Sequence, residues 1–292
     1  MTEHFLPNKR LMRKAFNEAA TRYDAAAILQ QEVCNRMAER LEYIKHQPNT
    51  VLDAGSGTGF GREKLQAAYP KANVVELDIA HAMLLAARQK TSRWKRLFKD
   101  PPAVCGDIEQ LPLADNSLDM IWSNLAIQWV NDLDKAFAEF HRVLAPNGLL
   151  MFSTLGPDTL KELRQAFAGV DQADHVNRFV DMHDIGDGLV KNGFATPVMD
   201  MEYITLTYQD VRTVMQDLKA IGAHNVMHGR PAGLMGKQRW QRVIDNYETL
   251  RKDGQLPATY EIVYGHAWKP EPKPTRVLAD GRQVIEFRPR NT

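Results

Sequence analysis

Hydrophobic positions recur along this chain with two periods, and the change from one to the other falls at Pro48. Before it, Phe16, Ala19, Ala20 and Tyr23 lie at helical spacing, and Ile28, Leu29, Val33 and Met37 continue the stripe. This predicts helix from Leu11 to Tyr43. After it, short apolar runs alternate with amphipathic stretches. Val51–Asp53, Asn73–Asp78, Ala103–Cys105, Ser117–Ser123 and Leu149–Thr154 read as strands, with Gly59–Tyr69, Ala80–Lys90 and Leu133–Leu144 as helices among them. Short apolar strands separated by helices predict a mostly parallel sheet buried on both faces, the doubly wound α/β arrangement. Pro146-Asn147-Gly148 supplies the turn between the last of these helices and its strand.

Beyond residue 155 the rhythm changes. Asp158 is placed to cap a helix through Phe167. Met182–Lys191 is a further helix, ended by Asn192-Gly193, and Val198–Leu206 a strand. Helix follows over Gln209–Ala220, a glycine-rich loop over Gly222–Gly236, helix over Gln238–Lys252 and strand over Glu261–Trp268. The expected organisation is therefore a helical N-terminal segment (1–45), an α/β body with helical insertions in its second half (46–268), and a weakly specified tail (269–292).

Composition narrows the classes. The 292 residues are 44% hydrophobic and 25% charged, with 37 Lys+Arg against 36 Asp+Glu. A near-neutral balance disfavours a surface that coats nucleic acid. No apolar run approaches the ~20 residues that span a bilayer, and Met1–Arg10 has no apolar stretch of the signal-peptide kind. Cys34 and Cys105 match no metal spacing, and the histidines form no ligand pattern. A cytoplasmic protein with reduced thiols and no metal is expected.

The chemistry is concentrated in Val51-Leu52-Asp53-Ala54-Gly55-Ser56-Gly57-Thr58-Gly59. An apolar strand runs into a glycine-rich turn that opens a helix, a place where backbone approaches a ligand closely. The dinucleotide fingerprint G-x-G-x-x-G does not fit, because counting from Gly55 its third glycine position holds Phe60. Asp53, just before the turn, would repel a pyrophosphate and attract an ammonium group. Asp78 ends the second strand, where a carboxylate can accept both ribose hydroxyls of an adenosine; Glu76 is the alternative on the same strand face. Asp107-Ile108 follows the third strand, and Ser123-Asn124-Leu125-Ala126-Ile127-Gln128-Trp129 the fourth.

This D-x-G-x-G-x-G pattern resembles the first motif of the class I S-adenosylmethionine-dependent methyltransferases. That resemblance implies a Rossmann-like, seven-stranded sheet with S-adenosylmethionine as methyl donor. The cofactor would be held by Asp53, Ala54, Gly55, Gly57 and Gly59, by Asp78, Ile79 and Met83, and by Asp107 and Ile108 at the adenine. Asn124 would lie beside the reactive methyl. The fourth-strand segment is not the Asn-Pro-Pro-Tyr type that grips a planar amine in nucleic-acid methyltransferases, so no nucleic-acid substrate is expected.

Narrower stretches resemble one family within that class, the malonyl-acyl carrier protein O-methyltransferases of biotin synthesis. They are Arg13–Asp24, Phe152–Leu160, His175-Val176-Asn177-Arg178-Phe179 and Leu218–Ala223, so the likeness runs from about residue 10 to about residue 268. Ser56 departs from the family's commoner cysteine, in a turn that acts through its backbone. The implied reaction esterifies the free carboxylate of a malonyl thioester on an acyl carrier protein. A carboxylate with a reference pKa of about 4 is already ionised at neutral pH, so no general base is needed. Arg178, then Lys219, are the candidates for gripping that carboxylate. Tyr23, on an N-terminal segment that closes over the cofactor, is the candidate to border the methyl group. The basic, aromatic segment Lys90–Lys99 reads either as a solvated insertion or as a docking surface for an acidic carrier. A methyltransferase of another small molecule and a non-catalytic cofactor-binding protein are the remaining alternatives.

Overall fold

A computed structural model describes residues 6–91, 101–171, 175–222 and 235–272, and the backbone of 276–277 and 283–284. The segment Lys90–Lys99 lies outside the described residues except for Lys90 and Thr91, as does most of the Gly222–Gly236 loop.

The strands are β1 (Thr50–Ala54), β2 (Asn73–Asp78), β3 (Ala103–Cys105), β4 (Leu118–Asn124), β5 (Leu144–Leu155), β6 (Ala195–Tyr208) and β7 (Leu256–Trp268). They form one sheet in the order β3-β2-β1-β4-β5-β7-β6. The first five are parallel, and β7 runs antiparallel to both β5 and β6. The helices are α1 (Lys9–Ala19), α2 (Tyr23–Ala26), α3 (Ile28–Glu39), α4 (Phe60–Ala68), α5 (His81–Lys90), α6 (Leu133–Val143), α7 (Lys161–Phe167), α8 (Met182–Lys191), α9 (Val211–Ala220) and α10 (Lys237–Glu248). None of the described helices is long and apolar enough to cross a membrane.

Alternation along the strands fills two cores. Val51, Met120, Trp122, Leu149 and Met151 pack on one face with Val33 and Met37 of α3 and Leu65 of α4. Leu52, Ile121, Leu150 and Phe152 pack on the other with Phe137 and Phe140 of α6 and Ile185 and Leu189 of α8. A sheet buried on both faces explains why its central strands are continuously apolar. At Gly265 of β7 a Cβ would lie 2.3 Å from the Phe152 ring, so only glycine lets that ring lie over its cross-strand partner.

Three expectations change, the first being that Pro146-Asn147-Gly148 lies within β5 instead of in a turn before it. The helical stretch expected over Leu11–Tyr43 divides into three helices followed by a 3-10 turn at Arg40–Tyr43, with breaks at Arg22 (φ −117°, ψ −4°) and Ala27 (φ −82°, ψ 40°). Apolar spacing does not distinguish one straight helix from successive helices that keep the same face inward. Asp158 does not cap a helix: α7 starts at Lys161, behind Leu160 in the left-handed region at φ +56°. The Asp158 carboxylate instead meets Lys161 Nζ at 3.3 Å and accepts from the Tyr203 hydroxyl at 3.2 Å.

Candidate active site

The turn after β1 is shaped by three left-handed glycines, Gly55 (φ +81°), Gly57 (φ +53°) and Gly59 (φ +84°). Their surroundings differ. A Cβ on Gly55 would lie 2.2 Å from Ala126 Cβ, and one on Gly59 2.7 Å from Glu76 Oε1. A Cβ on Gly57 would meet only Tyr23 Cε1, at 3.8 Å. Gly55 and Gly57 line a cavity, Gly55 also packing against Ala126, whereas Gly59 is the N-cap of α4. Ala54 is wholly buried beneath the turn, and its carbonyl accepts from the Ser123 hydroxyl at 2.9 Å.

The cavity, about 230 Å³, lies along the carboxyl ends of the parallel strands. Following the sheet order, its walls come from Asp107 and Ile108 after β3, Asp78 and Ile79 at β2, Gly55 and Gly57 after β1, and Asn124 at β4. It then continues past Leu155 of β5 to Tyr260 of β7. Such a crevice is where open α/β sheets bind ligands. A smaller hollow of about 40 Å³ adjoins it, bordered by Asp53, with Tyr23, Gln30, Gly55, Gly57 and Asn124 shared between the two.

Three carboxylates crowd this end of the sheet. Asp53 is 2% exposed, and burial drives its pKa well up, reinforced by Glu76 and Asp78 and opposed by Arg62. Asp53 borders the smaller hollow, while its buried Oδ2 lies against Gly61 of α4 without a close hydrogen bond among the described residues, the Arg62 backbone N–H favouring the charged form. A buried carboxylate oxygen without a donor is costly, and a cation or N–H at that hollow would relieve it. Glu76 is engaged otherwise: Arg62 lies 2.5 Å away and both side chains are buried. That pairing leaves Asp78 as the carboxylate on the cavity. Its oxygens accept from Ala80 N–H at 2.8 Å and Gly57 N–H at 2.9 Å, while burial pushes its pKa up to about 6.

Asp107 is held from an unexpected side. Lys9 Nζ lies 3.0 Å from Asp107 Oδ1 and 3.0 Å from Glu109 Oε2, so the first residue of α1 reaches across the cavity's β3 end. Phe16 of the same helix meets Trp129 edge-on, with ring centroids 5.3 Å apart. Met83 is buried against Ala19, Ala20 and Tyr23 and also lines the cavity. Tyr23 opens α2 beside Gly57, and its phenol is pushed far up by burial and by Asp78 and Asp24, so it stays protonated. Asn124 donates to the Gln30 carbonyl at 3.0 Å and accepts from the Ser153 hydroxyl at 2.8 Å, which fixes its side chain at the junction of the two spaces.

Residues 52–152 match the family model described as a methyltransferase domain. A malonyl-[acyl-carrier protein] O-methyltransferase of Laribacter hongkongensis is 62% identical over 99% of each chain. One of Gallionella capsiferriformans is 64% identical over 97% of each. The chain belongs to the malonyl-[acyl-carrier protein] O-methyltransferase family. Solved structures agree on the fold: a putative methyltransferase from Bacillus halodurans superposes at TM-score 0.56 and 16% identity, covering 80% of this chain and 97% of that one. The [4+2]-cyclase SpnF shares the fold at TM-score 0.51 and 20% identity, covering 82% of this chain and 81% of that one. The fold alone therefore does not name a reaction.

Within this malonyl-[acyl-carrier protein] O-methyltransferase family member, the two cations expected to grip the substrate are displaced from the cavity. Arg178 is exposed, while its neighbours Asn177 and Phe179 line the wall. Lys219 is likewise exposed, with Leu218 before it facing inward. In both places adjacent residues take opposite sides, so a family-like stretch of sequence did not reveal which member pointed in. The polar side chains that do line the cavity near and beyond Asn124 include Gln30, Gln128, Thr159, His175 and Asn177. His175 stacks on Phe167 at 3.7 Å and holds Asp171 at 2.7 Å. Lys9 and Gln30 carry no motif; only their place in the fold brings them to the site.

Proposed function

We propose that this methyltransferase uses S-adenosylmethionine to esterify the free carboxylate of a malonyl thioester on an acyl carrier protein, an early step of biotin synthesis in the cytoplasm. The observation that carries this reading is the near full-length identity to relatives of that name, which extends over the residues that wall the far arm of the cavity.

S-adenosylmethionine supplies a methyl group on a positively charged sulfur, a leaving group that departs neutral. The chain's residues suit its parts. Asp53, with its unpartnered oxygen, would face the ammonium of the methionine portion, beside the backbone of Gly55 and Gly57. Asp78 would accept from the ribose hydroxyls, Asp107 would meet the adenine amino group with Ile108 beside the ring, and Ile79 and Met83 would pack on the nucleoside. Ala54 and Gly59 would act from behind, by shaping the turn.

A malonate carboxylate attacks as it stands, and the bond it forms to the methyl carbon replaces the carbon–sulfur bond. The raised pKa of the Tyr23 phenol suits a wall and a hydrogen-bond donor, not a base. Tyr23 and Asn124 would align the carboxylate with the methyl, and α1 and α2 would exclude water from it. Recognition of the carboxylate falls to the polar side chains of the far arm rather than to Arg178 or Lys219. Supplying methyl-labelled S-adenosylmethionine with malonyl- and acetyl-carrier proteins tests the reading. Base-labile label on the malonyl form alone is expected; label on neither, or equally on both, would overturn it.

A further inference from the structure

We infer that the exposed face of α9 is a docking surface for an acidic carrier protein, with Arg212 and Lys219 as its charged contacts around Met215. The inference rests on the functional reading above. Helix α9 walls the cavity's far arm: Val214 and Leu218 are buried, and Leu218, Met215 and Ile221 line the space. Met215 lines it while remaining 36% exposed, which puts it at the rim, where the cavity opens outward. Residues three and four apart share a helix face, so Arg212 and Lys219 flank Met215 on that rim. Both are exposed.

The acidic groups closest in sequence each hold a partner, and Asp210 also lies within electrostatic reach of Arg212. Asp210 caps α9 by accepting from the Thr213 N–H at 2.9 Å, and Asp217 bonds the Tyr208 hydroxyl. The rim therefore presents two cations around an apolar centre. Its far end is braced on the N-terminal segment, since a Cβ on Gly222 would lie 3.0 Å from Phe16 Cδ1. A carrier protein threads its tethered thioester into the arm while its body stays outside, against whatever rings the opening. Acyl carrier proteins are acidic, which complements this rim. Charge at such a rim acts on encounter and orientation rather than on the chemical step.

The test compares kcat/KM for malonyl-acyl carrier protein and for free malonyl-phosphopantetheine in the full-length protein and its R212E/K219E variant. The carrier-bound substrate should lose about tenfold or more, with free malonyl-phosphopantetheine changing less than about twofold. R212Q/K219Q should give a smaller loss of the same selectivity, which keeps the test decisive if the reversed variant fails to fold. An unaffected carrier substrate in both variants would overturn the assignment. So would equal loss on both substrates, which would place the cations on the prosthetic phosphate instead. If the unaltered protein methylates neither thioester, the functional reading itself falls, and this surface with it.

Discussion

Lys9 and Asp107 are 98 positions apart in sequence, yet Lys9 Nζ lies 3.0 Å from Asp107 Oδ1. The contact ties α1 to the β3 end of the cavity, where the adenine of the methyl donor is proposed to sit. Replacing Lys9 by Met should weaken cofactor affinity several-fold while changing unfolding free energy by less than about 1 kcal/mol, since both partners are partly exposed. Titration calorimetry beside chemical denaturation separates the two effects. A stability loss with unchanged affinity would show that Lys9 only anchors the helix.

Cofactor binding should also depend on pH through Asp78. Burial raises its pKa from 3.8 to about 6, so the group gains its proton well above the usual carboxylate range. A protonated carboxyl offers fewer acceptor sites to ribose hydroxyls. Affinity should therefore hold steady above about pH 7 and fall as pH drops through 6. Asp53, raised in the same direction, reinforces the fall. In Asp78→Asn, affinity should be lower at neutral pH and its pH dependence shallower. A wild-type affinity constant from pH 5 to 8 would contradict the assignment.

Gly55 is the most constrained position of the turn. Alanine there would put Cβ 2.2 Å from Ala126 Cβ, with φ at +81°. About 1–3 kcal/mol of destabilisation is expected, together with loss of cofactor affinity. Gly169→Ala is the control: φ is +75°, but nothing lies within 4 Å of the added carbon, so only the backbone strain, of order 1 kcal/mol, should appear. Denaturant midpoints for the two variants give the comparison.

Tyr23 distinguishes a wall from a base. General-base catalysis contributes roughly 10²–10⁴-fold, so a proton-abstracting phenol could not be lost cheaply. Tyr23→Phe should retain kcat within about tenfold, whereas Tyr23→Ala, which opens the junction between the two cavities, should lose considerably more. A Phe variant as inactive as the Ala variant would restore the phenol to a chemical role.

The α/β body was legible because strands buried on both faces leave an unambiguous apolar record: β1 and β4 fall within one residue of the hydrophobic runs that predicted them, and β2 falls at its own. That Asp53, Gly55, Gly57, Asp78 and Asp107 line the cavity or its adjoining hollow was legible for a related reason, since each stands at a fixed offset from a strand end. The N-terminal breaks at Arg22 and Ala27 were not, because they change direction without changing which face is apolar. Side-chain direction outside regular elements was equally hidden. Arg178 sits between two residues that line the cavity and is itself exposed, a matter decided by tertiary packing rather than by spacing. Lys9 was missed because its partners, Asp107 and Glu109, are contributed by a distant strand end.

Intact-protein mass spectrometry of malonyl-acyl carrier protein, after incubation with this protein and S-adenosylmethionine, tests the central claim most directly. The account predicts a gain of one methyl group, absent without S-adenosylmethionine and reversed by mild ester hydrolysis. Cofactor binding with no mass gain on the malonyl carrier would contradict it, and would leave a methyltransferase whose substrate lies elsewhere.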